Sequence, residues 1–174
     1  MMTDKHTELE VWQRGPIEGV PALLQPVAHA MLQAAEDIEK EMTNFPPALL
    51  WSRPGNVASV GFHLKHIRGV IDRLTTYARG EMLNEEQLRA LKNESTASET
   101  DTIELLVSDV RGQVQRAILQ LKTTVPDTLT HPRGVGRKQI PSTVIGLLFH
   151  AAEHVQRHVG QLLVTARILR SQTG

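Results

Sequence analysis

The sequence contains no cysteine, which excludes disulfides, thiolate metal ligands and a cysteine nucleophile together. Aromatic residues make up only 3 % of it. That is too few to furnish stacking platforms for single strands of nucleic acid, or to fill a β-sandwich. Neither charge is in excess, with 19 Lys plus Arg against 19 Asp plus Glu. A nucleic-acid interface wants a basic face, so nucleic acid is not an expected partner. Long apolar runs are missing as well. The longest uncharged stretch, residues 19–35, is broken by Pro21 and Pro26 and carries Gln25 and Gln33, so no membrane span is expected. The first residues are polar and mixed in charge without an apolar signal core, and a cytoplasmic location is expected.

What remains is leucine, alanine and valine at helical spacing, in 174 residues that suit one domain with a sizeable core. Residues 1–19 read as a lead-in that Trp12 and Ile17 tack to the body, with Gly15-Pro16 as a break. A first helix starts near Pro21 or Pro26, buries Val27, Met31, Ala34 and Ile38, and ends before Phe45-Pro46-Pro47. A second runs from about Val57 to Arg79 and stops at Gly80. The charged connector 81–99 holds a short helical piece around Glu85 to Leu91, then a flexible stretch from Asn93 to Ser98. Asp101 and Glu104 read as a capping pair for a third helix, Thr102 to Lys122, striped by Val107, Val110, Val114 and Ile118. Residues 123–141 read as a long loop, after which Ser142 or Thr143 caps a fourth helix reaching about Arg170. The predicted fold is therefore all-α, a four-helix bundle with long connectors. The first helix also carries a second apolar stripe of Leu23, Leu24, Ala28, Leu32 and Ala35, a surplus that predicts a homodimer.

Chemistry concentrates in the histidines. Five of the eight fall on two helices: His63 and His66 on the second, His150, His154 and His158 on the fourth. The last three recur every four residues in a proline-free segment, which places them on one helix face. Their apolar companions Leu147, Ala151, Leu162 and Leu169 predict that this ladder points inward. Two imidazoles one turn apart can share a divalent metal, with a third ligand from His63 or His66. Glu153 precedes His154 but lies about 100° around the helix, so it makes a poor metalloprotease-type base. His29 falls opposite its helix's buried stripe and reads as a surface or interface residue. Turning His66 inward brings Arg73 and Tyr77 to the same side, where they would line a substrate pocket near the metal. The alternative makes Tyr77 a core-edge residue and pairs Arg73 with an acid.

The run from Ser59 through Phe62-His63-Leu64-Lys65-His66, followed far downstream by His154-Val-Gln-Arg-His158-Val-Gly-Gln161, resembles the DinB/YfiT-like family. The resemblance extends over about residues 21–170. It implies a helical bundle with one metal-binding histidine from the second helix and a His-x-x-x-His pair from the last. Matched residue by residue, the metal ligands would be His66, His154 and His158. Gly160-Gln161 also fits, although an arginine commonly precedes that glycine and Val159 stands here. His63 and His150 fall outside the triad and would serve as general acid/base groups beside an open coordination position. Zinc suits three imidazoles best, with nickel, manganese or iron as alternatives. The implied activity is hydrolysis or S-transfer on a small-molecule substrate, using a low-molecular-weight thiol in the latter case. A non-catalytic bundle with a structural metal is the competing expectation.

Overall fold

A computed structural model describes residues 9–172; the remainder of the expected lead-in, residues 1–8, and residues 173–174 lie outside the described residues. The helices are α1 (Gln25–Met42), α2 (Val60–Ala78), α3 (Glu85–Lys92), α4 (Ile103–Thr123) and α5 (Val144–Ser171). Each of α1 and α2 packs against both α4 and α5, so the four long helices surround one core. Met31 and Ile38 from α1, Leu64 and Ile71 from α2, Val114 from α4 and Leu162 from α5 are fully buried in it. The all-α expectation holds, and the short helix α3 lies where the connector predicts one. No helix among the described residues is long and apolar enough to cross a membrane.

Side-chain caps set the helix starts. Ser59 accepts a hydrogen bond from the Phe62 amide at 3.2 Å, so α2 begins at Val60, and the predicted start at Val57 instead follows a separate 3-10 turn, Pro54–Asn56. Thr102, rather than Asp101, caps α4 by accepting from Leu105 N. Asp101 accepts from Ser98 N and pairs with Lys65, both at 2.7 Å. Thr143 caps α5.

The loop predicted over 123–141 contains structure. Strands β1 (Pro132–Val135) and β2 (Ile140–Thr143) form an antiparallel hairpin with Pro132 opposite Thr143. Two prolines and a glycine inside such short strands erase the usual strand signal. The hairpin is held instead by its neighbours: Arg133 Nε donates to the Ala78 carbonyl at the end of α2 (2.8 Å), where Gly80 turns at φ +82°.

The lead-in is tacked by Val11, which is buried, and not by Trp12, which is exposed; Ile17 serves as expected, its N–H and C=O both gripped by the Gln25 amide. His29 is half-buried, with Nε2 3.1 Å from the Gly15 carbonyl. Leu24, Ala28 and Ala35 of the second stripe are buried within the chain, and only Leu23 stays fully exposed, at 65 %. Most of the surplus behind the dimer expectation is thus consumed internally.

Candidate metal centre

The faces of α2 and α5 that meet carry the histidines, because the apolar residues interleaved with them (Leu64 and Ile67; Val155, Val159 and Leu162) fix each helix's rotation against the core. His66, His154 and His158 converge. Their ring centroids lie 4.3, 4.7 and 5.2 Å apart in pairs, and each offers a nitrogen within 4.8 Å of the other two. His66 Nε2 and His154 Nε2 are only 3.0 Å apart. Phe62 stacks on His66 at 5.2 Å and covers one side of the group.

His63 sits deeper, 2 % exposed, with Nδ1 3.1 Å from His158 Nδ1. His150 departs from the inward ladder. It is exposed, and its Nδ1 lies 3.4 Å from a Glu153 oxygen. The reason is helical pitch: four residues advance about 400°, so each rung drifts about 40° and the third leaves the interface.

One contributor gave no local signal. Glu94, in the connector expected to be flexible, is buried and lays Oε2 2.7 Å from His66 Nδ1. Its other oxygen, Oε1, accepts from Arg73 Nη1 at 2.5 Å. A carboxylate there draws the proton to His66 Nδ1 and leaves the Nε2 lone pair for the centre, the usual way a metal-ligating histidine is oriented. Gly69 makes the approach possible, since a Cβ at that position would overlap both Glu94 Oε1 and Arg73 Nη1. Gly69→Ala should therefore lower stability by about 1–3 kcal/mol and weaken metal binding with it. Thermal melts beside a zinc titration check this.

Burial dominates the electrostatics. It pushes His63 and His158 down from 6.5 to about 4, assisted by the charge of His66, and lowers His154 in the same way. His63 and His158 are therefore neutral near pH 7, and for His158 that is the form ligation requires. Below 6.5 the unfolded chain takes up protons that these folded rings refuse, so stability is fully present above 6.5 and falls toward pH 4. Metal-free protein should accordingly show its melting temperature dropping across that window in buffered scans.

The three imidazoles of His66, His154 and His158, gathered at one point, could hold a cation between them. The buried Nδ1 of His154 has no hydrogen-bond partner among the described residues, while its Nε2 faces His66 Nε2. The donor set fits a divalent ion. A family model described as the DinB superfamily matches residues 10–162, most of the chain. The chain belongs to the DinB superfamily. No curated protein was found to match it.

For this DinB protein, the substrate-pocket expectation for Arg73 and Tyr77 meets a different arrangement. Arg73 is buried and reaches the centre through Glu94, which is the acid pairing anticipated as the alternative. Tyr77 is a buried residue further along α2, its hydroxyl beside Gly136 of the hairpin. Neither lines the groove that opens next to His63. Glu153 is tied to Arg157 and His150 at the surface.

Proposed function

We propose that this DinB protein is a metal-dependent enzyme, a hydrolase or a thiol-dependent S-transferase acting on a small molecule. The observation that carries the reading is the three-imidazole cluster, which has no fourth protein ligand among the described residues. His66, His154 and His158 would hold the ion, zinc foremost, with nickel, manganese or iron as alternatives. A divalent ion in such a site supplies Lewis-acid polarisation of a bound nucleophile at neutral pH.

The chain's own groups do the rest. Glu94 orients His66 and fixes its tautomer through the 2.7 Å contact. His63 takes the role of proton carrier: Nδ1 engages His158, and the residue lines the groove. His150, exposed one turn before His154 with ring centroids 5.4 Å apart, would exchange protons with solvent at the mouth. Phe62 keeps water from the stacked face of His66.

Metal analysis of purified protein, followed by hydrolase assays and thiol-transfer assays against a panel of electrophiles, tests the reading. The expectation is one divalent ion per chain and an activity abolished by chelation. His63→Ala should retain the ion and lose at least about 100-fold in rate, the scale of general acid/base catalysis. Loss of metal equal to that of His66→Ala would instead mean a sphere closed by protein, and the non-catalytic, structural-metal reading would replace this one.

A further inference from the structure

Beside the histidine cluster, a groove of about 900 Å³ follows the C-terminal half of α5 and is also lined by Pro54, Gly55, Val57 and Ala58. Its walls are apolar, with Val57 and Ala58 facing Val164 and Ile168. Val57, Val164 and Ile168 are large side chains left exposed, Val164 at 58 %. A volume of this size and this lining are typical of small-molecule sites.

Two polar side chains line the same groove while almost wholly buried: His63, 2 % exposed, and Thr165, 4 % exposed. His63 commits Nδ1 to His158. Among the described residues, neither its Nε2 nor the Thr165 hydroxyl has a hydrogen-bond partner, and neither atom is sealed in the core. Buried polar groups are normally paired, so open valences in an apolar groove mark where a ligand's polar atoms go. Thr165 follows His158 by about two helical turns, roughly 10 Å along the axis of α5, so the groove extends along that helix away from the cluster. Among the described residues that line it, the charged one, Arg157, is held by Glu153.

We propose that this groove binds an elongated, uncharged apolar molecule whose carbonyl or hydroxyl oxygen hydrogen-bonds to His63, with its body between Val57 and Val164. This names the substrate class for the enzyme proposed above and rests on that reading for everything after binding. A partner helix or a second copy would cover the apolar walls yet leave the buried His63 and Thr165 atoms without partners.

The test uses the protein as purified and two matched probes, 4-phenylbutan-2-one and the oxygen-free butylbenzene, followed by amide NMR. The ketone should shift the Val57, Ala58, Val164 and Ile168 signals saturably, and butylbenzene should bind at least about tenfold more weakly. Val164→Asp, at an exposed position, should weaken the ketone at least about tenfold while its metal content stays that of the parent. Absence of saturable shifts, equal binding of the two probes, or an undisturbed Val164→Asp variant would overturn the proposal. So would loss of the same signals with rising protein concentration and no probe, which would identify a second copy as the occupant. The two readings fail separately. Protein that binds metal but not the ketone refutes the groove alone; protein that binds the ketone but no metal refutes the enzyme reading alone.

Discussion

Replacing His154 by alanine should abolish binding of the proposed ion and leave the fold in place. The ring supplies one of three nitrogens at the centre, so affinity should fall by well over about 100-fold, more than loss of an orienting residue around a ligand costs. The helix does not depend on it. Leu148, Val155 and Leu162 of α5 hold the core, and His154 is only half-buried. Its Nδ1 already lacks a partner, so the alanine sacrifices no hydrogen bond at that atom. Far-ultraviolet circular dichroism should match the parent, and the metal-free melting temperatures should lie close together. Only the rise in melting temperature on adding zinc should vanish, because that rise measures binding to the folded state. A His154→Ala protein that takes up zinc as tightly as the parent would remove this residue from the site.

Glu94→Ala should show the opposite pattern, with the fold itself failing. The substitution strands Arg73, whose guanidinium is buried against that carboxylate at 2.5 Å. Leaving one member of a buried ion pair costs about 3–5 kcal/mol, a large part of the stability of a domain this size. His66 also loses the acceptor on Nδ1, for which a further 10- to 100-fold loss of metal affinity is the order expected. A double variant separates the two effects. Arg73→Met with Glu94→Ala removes both charges and should regain most of the lost stability, while metal affinity stays low. Thermal melts and competitive zinc titration on the three proteins read this out; if the double variant recovered metal affinity too, Glu94 would matter only as a counter-ion for Arg73.

These two residues also show where sequence reading succeeds and where it stops. His154 and His158 are four apart on one helix, and a local period suffices to put them together. His66 follows once the inner face of α2 is known from Leu64, Ile67 and Ile71. Glu94 belongs to no period. It lies 28 residues from His66, in a stretch whose composition reads as a loose connector, and only tertiary packing buries it. The one trace in the sequence is Arg73, an arginine on an inward face that demands an acid from somewhere. The hairpin escaped for another reason, since Pro132, Gly134 and Pro141 are loop residues by every local rule. His150 illustrates a pattern read too far: a spacing of four is a good ruler for one turn and a poor one for two.

The connector between α3 and α4 is tied three times to a single face of α2: Glu94 to His66 and Arg73, the Thr96 carbonyl to Lys65, and Asp101 to the same lysine. It behaves as a laced strap, and its length is therefore specified in a way its composition hides. A residue spliced in after Glu94 would shift the lacing out of step and disturb the histidine cluster without altering any of its three imidazoles. Among the described residues, Arg137 and Lys138 at the tip of the hairpin make no such ties, and there the chain has room to grow. For anyone grafting a tag or a second domain into this scaffold, the loop that looks most dispensable is the one to leave alone.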